Sequence, residues 1–173
     1  LSAQSRGQNG FFMKSTRYCA FCGRPEADCK ALFQGLNGEL LCDECIRAMA
    51  ADADALCLCG KLVDKFADNG VVTVVAGQAQ GQTLCLRLWL MSCRVLKRGM
   101  EDAMMDTLAA KAAAAGYTAL EGYYYPTAKN AMVREFYAGY GFEKTAEDAD
   151  GNTTWRLDLA AYNPRCPHIK IET

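Results

Sequence analysis

Leu88-Trp89-Leu90-Met91-Ser92-Cys93-Arg94-Val95-Leu96-Lys97-Arg98-Gly99-Met100-Glu101 is the stretch that decides how this chain is read. It opens on the end of an apolar run of strand length, Thr83–Leu90. From Gly99 to Ala115, Met100, Met104, Leu108 and Ala112 recur every four residues, the spacing of one helix face. The loop between them carries Arg94, Lys97 and Arg98 and closes on Gly99. A strand, a short basic loop and a helix start, in that order, can cradle an anion. Successive backbone N–H groups converge there, and the helix N-terminus adds partial positive charge. The three cations suit a pyrophosphate, although a solvated turn has the same residue types.

Elements on either side extend the pattern. Upstream, Leu56–Val63 and the β-branched Gly70–Gly77 suit strands. Gly77–Gly81 reads as a tight connection, so Val71–Ala76 and Thr83–Leu90 should pair as neighbours. Downstream, Gly116 suits a helix C′ position, and Leu120–Tyr125 is a strand stopped by Pro126. Thr127 is placed to cap a helix running to Gly139, with Met132, Val133, Phe136, Tyr137 and Tyr140 on its apolar face. Gly141 ends that helix, and Phe142–Thr145 and Thr153–Leu159 close as strands around Asp150-Gly151. Strands alternating with packed helices predict an α/β (α+β) fold, a mixed sheet flanked by helices.

Bulk properties narrow the classes. At 173 residues and a net charge of −1, the chain has length for a real core and no broad field towards nucleic acid or anionic membrane. No apolar run approaches the roughly 18 residues of a membrane span, and Leu1–Gly10 lacks the apolar stretch of a secretory signal. Ten cysteines without such a signal point to metal in a reducing compartment, and so to a cytoplasmic location. Four of them form two C-x2-C pairs, Cys19/Cys22 and Cys42/Cys45, with 19 residues between the pairs. Two such turns supply a tetrahedral thiolate shell for a structural zinc with no open position for water. Buried or disulfide-linked cysteines are the alternative. Arg17, Arg24, Lys30 and Arg47 are near enough in sequence to offset the shell's negative charge.

Tyr18-Cys19-Ala20-Phe21-Cys22-Gly23-Arg24 and Leu41-Cys42-Asp43-Glu44-Cys45-Ile46 resemble the N-terminal zinc-binding domain of the ClpX unfoldase family. That resemblance implies zinc binding and a possible protein partner or dimerisation through the module. There is no G-x-x-x-x-G-K-[ST] loop, so the chain is not expected to be an ATPase of that family. The strand–loop–helix around Arg94 resembles the acyl-CoA pyrophosphate site of the GNAT superfamily, [QR]-x-x-G-x-[GA]. Arg94 and Gly99 fit, and Lys97 stands where glycine is usual. Asn130-Ala131-Met132-Val133-Arg134-Glu135-Phe136-Tyr137, followed by Gly141-Phe142, matches the second signature, N-x6-Y then G-F.

This second resemblance implies a GNAT fold and an acetyl-CoA, other acyl-CoA or phosphopantetheine thioester as co-substrate. It assigns the donor to Met91, Ser92, Arg94, Val95, Lys97, Arg98, Gly99, Met100 and Asn130, with Tyr137 as general acid for the leaving thiolate. Segments such as Leu90–Val95, Pro126–Asn130, Phe66–Val71 and Gln8–Tyr18 further resemble the C-terminal GNAT-like domain of FkbH-like HAD-type phosphatase/glyceryltransferases. That implies loading of a glyceryl group onto an acyl carrier protein, and suggests Cys93, beside Arg94, as a covalent acyl carrier. No D-x-D-x-[TV] phosphatase motif occurs. The division expected is 1–18 and 48–173 for the acyltransferase and 19–47 for the zinc module. Nothing in the spacing selects a general base between Glu121 and Glu135. The competing function is a zinc-dependent protein-interaction module on an inactive GNAT scaffold.

Overall fold

From the first cysteine pair onward the backbone builds a small thiol-rich hairpin and helix, then a sheet that carries two further helices. The structure is a computed structural model and describes residues 17–35, 38–52, 55–66, 68–92, 95–128, 130–166 and 169–172. The thiol-rich part contains β1 (Leu32–Gln34) and β2 (Leu40–Cys42), an antiparallel pair, followed by α1 (Asp43–Ala51). Cys42 is its N-cap, its sulfur accepting the Cys45 N–H, and Asp43 and Glu44 put negative charge on the first turn.

The sheet follows as β3 (Ala55–Val63), β4 (Asp68–Gln80) and β5 (Thr83–Met91), a continuous antiparallel meander. Next come α2 (Met100–Ala114), β6 (Ala119–Tyr124), the short α3 (Phe136–Gly139), β7 (Glu143–Glu147) and β8 (Thr153–Asp158). The spatial order is β3-β4-β5-β6-β8-β7, with only β5 and β6 parallel, as the crossover through α2 requires.

Two expectations are corrected. The β4–β5 connection is not Gly77–Gly81: β4 runs on to Gln80, and the turn sits at Gly81, whose φ of +59° suits glycine. Gly77 lies inside the strand, opposite a bulge. Gly77 pairs with Leu86 and Ala76 with Leu88, leaving Arg87 as the extra residue. The long helix from Thr127 to Gly139 is also absent. A single 3-10 turn, Ala131–Val133, and the four-residue α3 take its place. The Asn130 side chain accepts the Thr127 N–H at 2.8 Å and donates to the Tyr125 carbonyl at 2.9 Å, so it holds the chain in a local turn that competes with helix.

The bulge at Arg87 explains how β5 serves two cores. A one-residue slip moves every later side chain to the opposite face. Leu84 and Leu86 before it, and Trp89 after it, join Met104, Met105 and Leu108 of α2 in the main core. Leu88, with Ala76, faces the other way and packs with Cys19, Leu41, Cys42, Cys45 and Met49. The thiol-rich segment thus buries its apolar side on the sheet, which offsets its own lack of a core. The described part of the C-terminal tail has no regular structure yet is pinned. The Asp106 carboxylate on α2 accepts from the Tyr162 hydroxyl at 2.6 Å, the Arg165 N–H at 3.0 Å and the Cys166 N–H at 2.8 Å.

Candidate functional site

The four thiols come together. The sulfurs of Cys19, Cys22, Cys42 and Cys45 all lie within 4.8 Å of one another, with Cys22 and Cys42 3.8 Å apart. A tetrahedron with Zn–S bonds near 2.3 Å has edges of about 3.8 Å, so the set fits a zinc ion. Burial opposes ionisation of Cys19, but the backbone N–H groups of Cys22, Cys42 and Phe21 bring its thiol down to about 6. The Arg24 guanidinium is held cationic by Glu44 first, and also by the field of Cys22 and Cys42. Arg17 and Arg47 pair instead with Glu26 at 2.9 Å and Asp43 at 3.5 Å. Cys57 packs under this module and Cys59 is exposed; neither joins the four-thiol set.

A second site lies where the sheet opens. β5 and β6 pair only at Thr83↔Ala119, Leu84↔Leu120 and Cys85↔Glu121. Beyond Cys85 the two strands part. β5 stays bonded to β4 as far as Met91, and β6 stays bonded to β8 as far as Tyr124. The Arg87 bulge falls at the start of this splay and bends β5 away. At its far end β5 gives way to the basic loop, and α2 begins.

The predicted loop residues take distinct places. Met91 ends β5; the Ser92 N–H donates to the Val72 carbonyl at 2.8 Å, and the Ser92 carbonyl accepts from Val95 at 3.0 Å. Val95 and Met100 are buried and anchor the loop in the main core, while Lys97 and Arg98 are exposed. Lys97 has φ +61° and Gly99 φ +83°, two left-handed residues that turn the loop into the helix. Lys97 occupies the position where the superfamily pattern has glycine, and for an L-residue that conformation costs roughly 1–2 kcal/mol. Its backbone N–H is not open to a ligand as it stands, because it donates to the Glu101 carboxylate. Cys93 and Arg94 lie outside the described residues.

Across the splay, Tyr137 is only 4% exposed. Its ring lies against Gly122 of β6 and beside the rings of Phe136 and Phe142, with centroids at 5.5 and 5.1 Å. Burial pushes its hydroxyl well above the usual phenol range, against the opposing pull of the Tyr123 N–H. Asn130 is buried and bonded as described above. On the opposite face of β6, Tyr123 donates to the Glu121 carboxylate, and the Cys85 sulfur is 4.0 Å from the same oxygen. Glu121 is half-buried and Glu135 exposed. The Arg87 guanidinium sits 5.3 Å from the Tyr123 ring centre. This pairing escaped the sequence reading. Glu121 and Tyr123 alternate on a strand and so share a face, but nothing in the sequence shows that Cys85 and Arg87 meet them.

Comparison with known proteins agrees with this geometry. Residues 17–51 match the ClpX C4-type zinc finger family. Among solved structures, the chain resembles the GNAT domain of S. lividans PAT, with a TM-score of 0.55, 17% identity, and 68% of this chain and 69% of that one covered. The ribosomal-protein-S18-alanine N-acetyltransferase from Escherichia coli gives 0.51, 16%, 68% and 77%. The PaiA N-acetyltransferase from Thermoplasma acidophilum, solved in complex with coenzyme A, gives 0.53, 15%, 67% and 67%. At these identities the likeness is one of fold: the sheet and its helices form a GNAT fold carrying a C4 zinc finger. No curated protein sequence matches the chain. No helix among the described residues is long and apolar enough to cross a membrane.

Proposed function

We propose that the chain is an acyltransferase that moves an acyl group between a pantetheine thioester and an acceptor. The observation that carries this is the splay of β5 from β6 with the N-terminus of α2 at its end. An extended pantetheine arm fits such an opening, taking the place of a missing strand, and its phosphate meets the helix start. Arg94, Lys97 and Arg98, with the backbone of Met91, Ser92, Val95, Gly99 and Met100, bind the donor, and Asn130 fixes the arm's other side. The Trp89 indole N–H is buried with no hydrogen-bond partner among the described residues, a donor that an amide or carbonyl of the arm would satisfy.

In the reaction the acceptor's lone pair attacks the thioester carbonyl carbon and the C–S bond breaks. Glu121, bonded to Tyr123, takes the acceptor's proton. Tyr137, kept protonated by burial, delivers its own to the departing thiolate. Cys93 is the alternative first acceptor, forming a covalent acyl intermediate. A glyceryl group, an acyl carrier protein as donor, FkbH-like parentage and a reducing, cytoplasmic setting belong to the same reading. So does the division into a 19–47 zinc module and an acyltransferase of 1–18 and 48–173.

The Lys97–Glu101 bond favours a second reading, in which the GNAT scaffold is silent and the finger binds a protein. Calorimetric titration of the zinc-replete chain with acetyl-CoA and CoA separates them. Micromolar binding weakened by Arg94→Ala or Asn130→Ala is expected. Absence of binding by either ligand, and by carrier-bound pantetheine, refutes acyl transfer.

A further inference from the structure

The finger's hairpin spans the open end of the splay. On one side Phe33 and Gln34 of β1 line, with Val72, Thr73, Met91 and Ser92, a hollow of about 350 Å³. On the other side Gly38 lies directly on the turn after β6. A Cβ built there would stand 2.2 Å from the Tyr125 carbonyl oxygen and 3.0 Å from the Asn130 Nδ2. Met91 and Ser92 end one lip of the splay and Tyr125 follows the other, so the hairpin closes the mouth between them.

The hairpin is also tied to the metal shell. The Gly35 N–H bonds the Glu39 carbonyl and the Gly38 N–H the Gly35 carbonyl, both at 2.9 Å. From Glu39 the chain enters β2, where the Leu40 carbonyl accepts from Ala20 of the first knuckle at 2.7 Å, and β2 ends on the ligand Cys42. Cys42 in turn donates its N–H to the Cys19 sulfur at 3.3 Å. The ligand shell and the lip are thus joined by a few residues of hydrogen-bonded strand. Gly38 has φ +91° and no room for a side chain, so it is doubly required as glycine.

We propose that this hairpin is a wall of the transfer site, and that Gly38 is a positioning residue through which metal loading of the finger sets the conformation of Tyr125–Asn130. The zinc never touches substrate. It acts by holding β2 rigid, and β2 holds Gly38 against Tyr125 and Asn130. The wording "transfer site" rests on the acyltransferase reading; the coupling of metal to the Tyr125–Asn130 turn does not.

The test is hydrogen–deuterium exchange on the full chain in three forms: zinc-loaded, stripped by a chelator, and Gly38→Ala loaded with zinc. The Thr127 N–H, held by Asn130, and the amides through Val133 should exchange about tenfold faster in the second and third forms, while α2 keeps its protection. Cobalt loading reports, by its thiolate absorption, whether Gly38→Ala keeps the four-sulfur shell. If Gly38→Ala loses that shell, its left-handed φ accounts for the loss equally well, and the comparison of the zinc-loaded with the stripped chain decides. Unchanged exchange over 127–133 in the stripped chain, or in a metal-retaining Gly38→Ala, overturns it. Acetyl-CoA titration of the same samples keeps the two readings apart. If exchange changes but no form binds a pantetheine donor, acyl transfer falls and the coupling stands. If binding is equal in all forms and exchange unchanged, the coupling falls alone.

Discussion

Replacing Gly122 by alanine tests whether the wall of the splay is as tight as the structure draws it. A Cβ at position 122 would lie 2.3 Å from Cε1, 2.4 Å from Cζ and 2.8 Å from Cδ1 of Tyr137. Real Cβ contacts are not this short, so the ring must move. It has little space to do so, since Phe136 and Phe142 flank it and it is almost fully buried. The φ of Gly122 is not in the left-handed region, so backbone strain contributes nothing and the cost is overpacking. That is worth about 1–3 kcal/mol, and the upper half of the range fits a ring struck on three atoms.

Urea unfolding of the zinc-saturated chain should show Gly122→Ala destabilised by about 2–3 kcal/mol. The same change in a Tyr137→Leu background should cost less than half as much, giving a coupling of about 1 kcal/mol or more. In Tyr137→Phe, which keeps the ring, the cost should return in full. A Gly122→Ala variant within about 0.5 kcal/mol of wild type, or one whose cost is the same with and without the ring, refutes this packing. If Tyr137 is the general acid, Gly122→Ala should also slow transfer with little effect on donor affinity, and Tyr137→Phe more so.

Three other outcomes follow from the same contacts. Glu101→Ala removes the carboxylate that holds the Lys97 N–H, and should tighten CoA binding by roughly 10–150-fold, the worth of one charge-assisted hydrogen bond returned to the ligand; calorimetry showing equal or weaker binding would contradict it. Asp106→Ala removes the common acceptor of Tyr162, Arg165 and Cys166, and should cost about 2–3 kcal/mol and expose Arg165 to trypsin, so continued protection at Arg165 would refute the pinning. Alkali supplies the third. Burial raises the hydroxyl pKa of Tyr123, Tyr137, Tyr140 and Tyr162, with carboxylate partners adding to this for Tyr123, Tyr140 and Tyr162. Below the usual phenol value of about 10 these groups are neutral in both states. Above it the unfolded chain loses protons that the folded chain keeps, so stability falls as pH rises. Tyr140→Phe, which also loses the 2.7 Å bond to Asp102, should flatten that fall by one proton, and an unaltered slope would refute the assignment.

Where residue spacing expresses structure directly, the sequence was readable. The two C-x2-C pairs, the four-residue apolar period of α2 with Gly116 after it, and the β-branched runs flanked by glycine all report local geometry. Two elements misled because a single side chain or backbone slip overrode the pattern. Asn130 spends both ends of its amide on the backbone of Tyr125 and Thr127, which stops a helix that the apolar spacing of 132–140 favours. Gly77 resembles a turn glycine, yet it serves the bulge opposite Arg87, and a Cβ there would strike Leu84 at 2.8 Å. The docking of the finger was illegible for a different reason. Gly38 against Tyr125 is a contact between residues with no periodic relation, and glycine carries no side-chain signal of what it touches.

The departures from the GNAT pattern are confined to one end of the site. On the proposed reading, the splay, its bulge, Asn130 and the buried Tyr137 would all sit along the thioester arm. The anomalies, a lysine at φ +61° and an N–H already spent on Glu101, sit where a pyrophosphate would be held. A silent scaffold accounts for the occupied Lys97 N–H, and a donor without a nucleotide accounts for it as well. Pantetheine on a carrier protein ends in a single phosphodiester, which needs fewer amide donors than the pyrophosphate of CoA, and the carrier itself supplies contacts that the nucleotide otherwise makes. On the acyltransferase reading proposed above, carrier-bound pantetheine would then be the preferred donor. It also gives the Glu101→Ala variant a second meaning: restoring the amide should shift preference towards free CoA, whereas a silent scaffold would show no preference to shift.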